Sequence, residues 1–499
     1  MPEQTLTFDW SNPTTSERLP PDTLNRARYA SFLHNYLVDV SKNGGYVLNL
    51  NASWGAGKTF FIKRWLDSIE DTHPVVYIDA WKQDYSDDPM LTVVSSLIDA
   101  LKCQLPPENQ SIDNIVKTSA KFLKTAAPIL TRALFKKATG IDIHAFSDTG
   151  GGPESEQLEE VDSSEAISES AAKLAKCLVD EHNEKLHSIQ YLREQIEILV
   201  TAVISHKNKL KSPAFVFIDE LDRCRPSYAV EMLEVVKHFF ELDNIVFVVA
   251  TDTEQLQHTV KAVYGKDFDA KRYLGRFFRR RYTLTPTSLY AFSASVIEKY
   301  HNKESVNLSG HTPYINGLPE VACTISTTAS MFSLSLRDTE QLVDKFLSVL
   351  SNTEKTLSPH LLLILFVLYE ANKKLYEKWI EASPETSFKE AISSMGYSHL
   401  GFYIDYHENM QDLVPIDAQE TIRKVKIDLC TLLETANMAC SEYDNAKKTE
   451  NYEWLELSVP DPSGYEDSIK ISFQQSLFNL KATKADYKNW VELAISFDQ

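Results

Sequence analysis

The 499-residue chain carries 51 basic and 70 acidic side chains, a formal net charge of −19, with 43% apolar and 24% charged residues. That composition suits a soluble globular protein of about two or three domains, and the acidic balance argues against a protein that coats nucleic acid. Six cysteines, at 103, 177, 224, 323, 430 and 440, lie far apart with no C-x-x-C, which disfavours a disulfide framework or zinc site and fits a reducing, cytoplasmic setting.

Residues 1–20 lack an apolar core, so no secretory signal is read. Residues 22–40 then place Leu24, Tyr29, Phe32, Leu33, Tyr36 and Leu37 at helical spacing. Asn43-Gly44-Gly45 breaks the pattern, and "YVLNL" at 46–50 reads as a short buried strand. A second helix, "KTFFIKRWLDSIE", follows a glycine-rich turn; "PVVYIDAW" at 74–81 reads as a strand and 89–103 as a helix. Trp81 is expected to pack in the core.

From 104 to 165 the periodicity degrades. Residues 114–141 hold six basic side chains and no acidic one, and 146–165 mix Gly, Ser, Pro and acids as a flexible linker does. A helical run at 166–207 leads to the apolar strand "AFVFI" at 214–218, a helix at 226–241, the strand "IVFVVA" at 245–250 and a fifth strand candidate, "RYTLT", at 281–285. Beyond Pro286 the chain reads as mostly helical. Its longest apolar run, "HLLLILFVLYEANKK" at 360–374, reaches about ten residues before charges intervene, short of the roughly 20 that span a bilayer, and is expected to be a core helix. Strands separated by helices predict a doubly wound α/β core, with 104–165 inserted between its second and third strands.

Between the first strand and the second helix, "ASWGAGKT" (Ala52 to Thr59) fits the phosphate-loop pattern G-x-x-x-x-G-K-[ST] everywhere except its first position, where alanine replaces glycine. A turn from a buried strand into a helix N-terminus aims backbone N–H groups at an anion. Ser53, Trp54, Gly55, Ala56, Gly57, Lys58, Thr59 and Phe60 are therefore the expected nucleotide-binding residues. Gly55 and Gly57 would admit the β-phosphate, Lys58 would bridge β- and γ-phosphate oxygens, and Thr59 would offer its hydroxyl to Mg²⁺. The methyl of Ala52 matters only if the position needs a positive φ or close helix packing, so a small adjustment is expected, not loss of the site.

The second motif is "AFVFIDELDRC" at 214–224. An apolar strand ending in Asp219-Glu220 brings two carboxylates to the carboxyl edge of a sheet, where doubly wound folds bind ligands. Asp219 would hold Mg²⁺, directly or through water, and Glu220 would orient or deprotonate the attacking water. Lys58, Asp219 and Glu220 are the catalytic candidates. Asp222 and Arg223 would either pair locally or reach the nucleotide or a neighbouring subunit. "ATD" at 250–252 ends the next strand, placing Thr251 or Asp252 beside the γ-phosphate as a polar sensor, although a helix N-cap accounts equally well for Asp252.

These residues resemble the KAP family of P-loop NTPases. The likeness rests on "NASWGAGKTFF", "YIDAWKQDYSDDP" and above all "VFIDELDRCRPSYAVEMLEVVKHFFELDNIVFVVATD", and continues through "KRYLGRFFRRRYTLTP" and "SLSLRDTEQLVDKF", over residues 20–350 or so. It departs from the family at Ala52 and in reading Asp219-Glu220 where Asp-Asp is common. The expected fold is α/β, a P-loop NTPase of the additional-strand, AAA/STAND-like kind. Its parallel sheet, with helices on both faces, would form a core at 1–285, followed by a helical lid-like module at 286–355 and a mostly helical C-terminal domain at 356–499. Many members carry transmembrane helices between the two nucleotide motifs. Here Lys121, Lys124 and Arg132, with Pro128 among them, argue against a spanning segment, leaving a basic helix that is solvated or touches a membrane surface or partner.

The resemblance also implies a role in antiviral defence or phage exclusion. It matches Arg337 to a second sensor through which a lid feels the γ-phosphate; a helix-cap salt bridge is the plain alternative. Arg276, Arg279, Arg280 and Arg281 crowd the approach to the fifth strand, where one would reach a neighbour's γ-phosphate or all would form a basic edge. Arg26 and Tyr29 would border the base, or be a surface arginine and a core tyrosine. The expected protein is an ATP-hydrolysing switch, with ATP favoured over GTP, that uses Mg²⁺ and works as a homo-oligomer, with a separate effector protein, or both. The rival is a nucleotide-gated scaffold without appreciable turnover. A nucleic-acid motor is disfavoured by the −19 charge and the lack of helicase motifs.

Overall fold

The computed structural model describes residues 6–14, 19–86, 88–104, 190, 192–194, 196–205, 210–239, 242–284, 288–301, 309–311, 315–316, 318–406, 423–449 and 465–496. Nearly all of the expected insertion, its basic segment 114–141 included, lies outside them. The chain divides into two compact units, Met1–Thr285 and Pro286–Gln499.

In the first unit α1 (Ala27–Val40) precedes β1 (Tyr46–Asn51), α2 (Lys58–Ile69), β2 (Val75–Asp79), the short α3 (Ala80–Gln83) and α4 (Pro89–Cys103). Then come β3 (Ala214–Asp219), α5 (Pro226–Phe239), β4 (Ile245–Thr251), α6 (Thr253–Tyr264), α7 (Ala270–Leu274) and β5 (Arg280–Thr283). All five strands expected from the sequence form, in one parallel sheet of order β2-β3-β4-β1-β5. β4 stands between the strand that enters the glycine-rich turn and the strand that ends in Asp219. Both motifs therefore reach the same carboxyl edge of the sheet, one strand apart.

The central strands β3 and β4 are buried in both phases because both sheet faces are covered there. Val216, Ile218, Phe247 and Val249 join a core with Val93 and Leu97 of α4 and Leu233 and Val236 of α5. Phe215, Phe217, Val246 and Val248 join the opposite core, with Leu33 and Leu37 of α1 and Phe61 and Trp65 of α2. Burying one such side chain contributes about 1.5–3 kcal/mol, and a one-residue slip would exchange the two cores, so register is strongly specified. Helical residues 196–205 add Ile196, Leu199, Val200 and Val203 to the first core, at the spacing of one helix face.

The second unit is built from α8 (Leu289–His301), α9 (Leu318–Met331), α10 (Leu336–Ser351), α11 (Pro359–Ala371), α12 (Lys373–Glu381), α13 (Lys389–Ser394), α14 (Leu429–Thr449), α15 (Tyr465–Leu477) and α16 (Lys484–Ile495). Its core runs from Val296 to Ile495. The long apolar run is its central helix: α11 is buried from Leu361 through Leu368, capped by Ser358 and opened by Pro359. Among the described residues no helix is long and apolar enough to cross a membrane.

Two antiparallel ribbons depart from the mostly helical expectation: β6 (Ser309–His311) with β7 (Ile315–Asn316), and β8 (Gly401–Tyr406) with β9 (Arg423–Asp428). The period-two alternation of "RKVKID" marks β9, with Val425 and Ile427 buried, but it is too short to stand out among helical neighbours.

Candidate functional site

The turn between β1 and α2 answers the question posed by its missing glycine. Gly55 (φ 74°) and Gly57 (φ 81°) take left-handed backbone, which glycine alone adopts without penalty, and Gly57 caps α2. Ala52 is not among the residues with positive φ. Its amide donates to the Thr251 carbonyl of β4 at 3.2 Å, and its methyl is buried in the core shared with α2. The chain leaves β1 in a conformation open to any L-residue, so glycine is not required there.

Lys58 folds back over the turn, its Nζ donating to the carbonyls of Ala52 at 2.7 Å and Ser53 at 3.3 Å. Burial pushes the ammonium towards neutrality; the carboxylates of Asp222, Asp252 and Asp219 oppose that. Asp219, fully buried at the end of β3, accepts from the Tyr77 hydroxyl at 3.2 Å and from the amide of Glu220 at 2.9 Å, with the Thr59 hydroxyl close by. Burial raises its pKa, and those three groups hold it down. Thr59 and Asp219 are thus brought together from motifs far apart in the chain.

A hydroxyl beside a carboxylate is an oxygen donor set suited to a hard dication. Among the described residues no group of three or more His, Cys, Asp or Glu side chains would hold a metal by itself, so an ion here would complete its shell with phosphate oxygens and water.

Glu220 also has left-handed backbone, φ 58° and ψ 27°, which costs a residue with a Cβ about 1–2 kcal/mol. Its carboxylate pairs with Arg223 Nη1 at 2.8 Å. Burial raises the Glu220 pKa, Arg223 lowers it, and Asp219, Asp79 and Asp222 raise it further. The Arg223 guanidinium lies 5.4 Å from the centroid of the Trp81 ring. Trp81 therefore departs from its expected core position: it is 52% exposed, because it falls just past the end of β2 and serves as a platform for the arginine. Asp222 accepts from the Trp54 indole N–H, tying the acidic turn to the glycine-rich one. Arg225 clamps the same turn to Asp84, through its amide at 2.8 Å and Nε at 2.9 Å.

Asp252 caps α6, accepting from the amides of Glu254 and Gln255. Thr251 is engaged by Asn49, whose Nδ2 donates to its hydroxyl at 3.0 Å, while Asn49 Oδ1 accepts from Thr253 at 3.2 Å. Arg276, Arg279, Arg280 and Arg281 are all exposed; Arg279 lies over the Tyr46 ring and Arg280 over the Tyr36 ring. The last two of the four lie on β5, the charged edge strand of the sheet. Arg337 is exposed in the first turn of α10 in the second unit, behind the Ser335–Asp338 capping box. Tyr29 is half-buried beside the α1–α2 core. Arg26 departs from the surface expectation and is 1% exposed.

Three contributors escaped the sequence reading: Tyr77, Asn49 and the buried state of Arg26. Asn49 left a signal, a polar residue inside an otherwise apolar strand. Tyr77 left none, since an aromatic in a strand reads as core.

A family model described as the KAP family P-loop domain matches residues 26–351. No curated protein matches the chain. The matched span begins at Arg26, runs through the whole parallel sheet and ends with α10, so that the glycine-rich turn, the acidic strand end and the strand order between them all fall within it. The chain belongs to the KAP family of P-loop NTPases, a membership that implies nucleotide binding and hydrolysis.

Proposed function

We propose that this protein is an ATP hydrolase that works as a nucleotide-dependent switch. The observation that carries the reading is the convergence of Thr59 and Lys58 from the glycine-rich turn on the Asp219 carboxylate, on strands one apart in the sheet. The backbone from Ser53 to Phe60 would cradle the phosphates, and Lys58 would exchange the Ala52 and Ser53 carbonyls for phosphate oxygens. Thr59 and Asp219 would hold Mg²⁺, which neutralises charge on the triphosphate. Glu220 would orient the attacking water. Asp252 and Arg337 are proposed as nucleotide contacts, and one of Arg276, Arg279 and Arg280 as a trans-acting arginine of a homo-oligomer. ATP is favoured over GTP as the nucleotide.

Family resemblance supports a place in prokaryotic antiviral defence, in the cytoplasm and with a separate effector protein. Phosphate release with ATP and with GTP tests the core of the reading. Glu220→Gln should bind ATP and lose turnover, and Lys58→Ala should lose binding. Wild-type turnover in Glu220→Gln would refute the base assignment, and antiviral protection by Lys58→Ala in cells would refute the defence role.

The second reading, a nucleotide-gated scaffold, is favoured by the Glu220–Arg223 pair, which occupies the base candidate. Tight ATP binding with no phosphate release from the wild type would select it.

A further inference from the structure

Arg26 immediately precedes α1 and is among the largest fully buried side chains. Its Nη1 donates to the carbonyl of Gly57 at 3.4 Å, and Gly57 is the cap of α2 at the end of the glycine-rich turn. Nε and Nη2 are buried and have no hydrogen-bond partner. The acid whose charge it feels is Asp22. That carboxylate is spent on backbone, its Oδ2 accepting from the amides of Arg26 and Ala27 and its Oδ1 from the amide of Leu24.

A guanidinium has five donors in a rigid fork and does not shed its charge in a protein. Sealing it away with one long hydrogen bond is unfavourable, and an apolar side chain of similar length would serve packing alone at lower cost. The N-terminus of α2 attracts anions through its own unpaired amides and dipole. A full positive charge behind its first turn strengthens that attraction. The position and the spare donors are what a ligand with several acceptors would use.

We propose that Arg26 is a nucleotide-binding residue, its Nε and Nη2 donating to an acceptor of the nucleotide seated against the Gly57 end of α2. The inference rests on the reading of Ser53 to Phe60 as the triphosphate cradle. At 3.4 Å the bond to the Gly57 carbonyl is weak enough for an incoming oxygen to displace.

The test compares full-length wild type, Arg26→Met, Arg26→Lys and Lys58→Ala, titrated with Mg·ATP and with Mg·tripolyphosphate, alongside melting without ligand. Arg26→Met should melt at or above the wild type yet bind Mg·ATP about tenfold or more weakly. Arg26→Lys, which keeps the charge, should recover part of the loss. Weaker binding of both ligands assigns the acceptor to a phosphate, and loss confined to Mg·ATP assigns it to the nucleoside; either supports the proposal.

Wild-type affinity in Arg26→Met overturns it, as does a lowered melting temperature with unchanged affinity, the signature of a packing role. Should Arg26→Met fail to fold, Arg26→Lys decides, with unchanged affinity refuting and weakened affinity supporting. A wild type that does not bind Mg·ATP refutes the cradle itself, whatever the Arg26 variants do.

Discussion

Replacing Arg223 with glutamine should free Glu220 and raise basal turnover. The two side chains pair at 2.8 Å with 26% and 18% exposure, and the guanidinium is anchored again over Trp81. On the proposed reading the pair restrains Glu220 from turning to a water. A solvent-exposed ion pair contributes about 0.2–1 kcal/mol and an exposed cation–π contact about 0.5–1 kcal/mol. For a pair as sheltered as this one the restraint comes to about 1–2 kcal/mol.

With about 1.4 kcal/mol per decade of rate, Arg223→Gln should raise kcat about five- to thirtyfold and leave ATP affinity unchanged. The pH profile supplies a second readout. Glu220 must be ionised to act as a base, and Arg223 opposes the burial and the three neighbouring carboxylates that raise its pKa. Without Arg223 that pKa rises further, so the acid limb of the rate profile moves to higher pH. Steady-state phosphate release across pH, with affinity measured separately, checks both. A fall in kcat with the acid limb unmoved would refute the restraint and make Arg223 an aligning residue.

Ala52→Gly, which restores the family's usual residue, should leave ATP affinity unchanged because Ala52 does not need a positive φ. Losing a buried methyl and stiffening should lower stability by about 1–2 kcal/mol in chemical denaturation. Tyr77→Phe removes a donor to Asp219, so the Mg²⁺ concentration for half-maximal turnover should rise about fivefold, most steeply at low pH, where the carboxylate loses a partner that favours its charged form. Burial, with a smaller contribution from His73, depresses the pKa of His34 from 6.5 to about 3. The native state therefore holds His34 neutral; its contribution is whole above 6.5 and is lost as pH falls towards about 3. At about pH 5 the loss is about 2 kcal/mol, so His34→Phe should lose about that much less than wild type between neutral pH and about pH 5 in urea unfolding.

The central strands β3 and β4 are legible in the sequence because a strand covered on both faces is apolar along its length, whereas the edge strand β5 is charged and exposed. Partnership across the sheet is less legible. Nothing local in "YIDAW" announces that Tyr77 will meet Asp219, and nothing in "KQDYSDDP" announces that Asp84 will be gripped by Arg225. Residue-type expectations fail in two instructive places. Arginine is almost never fully buried and tryptophan seldom stands half-exposed, yet Arg26 is sealed and Trp81 is open. Both exceptions border the two motifs, Arg26 at Gly57 and Trp81 at Arg223, and functional sites are where such local rules are expected to break.

The contacts already made inside the site bear on what kind of binding event it supports. Lys58 is engaged by the carbonyls of its own loop, Glu220 by Arg223, Asp222 by Trp54 and Asp219 by Tyr77 and the Glu220 amide. A triphosphate entering this site would exchange partners, since each new contact to Lys58 breaks an existing one. The net affinity is then a difference between two sets of hydrogen bonds, but the change in arrangement is the sum of all the exchanges. A ligand shifts an equilibrium only by its differential affinity for the two arrangements, and exchange at four charged side chains gives that difference a structural basis. Removing an internal contact should therefore weaken the conformational response. Trp54→Phe, which removes the indole donor to Asp222 without adding charge, is expected to show a smaller nucleotide-dependent change in protease sensitivity. An undiminished response would refute the exchange.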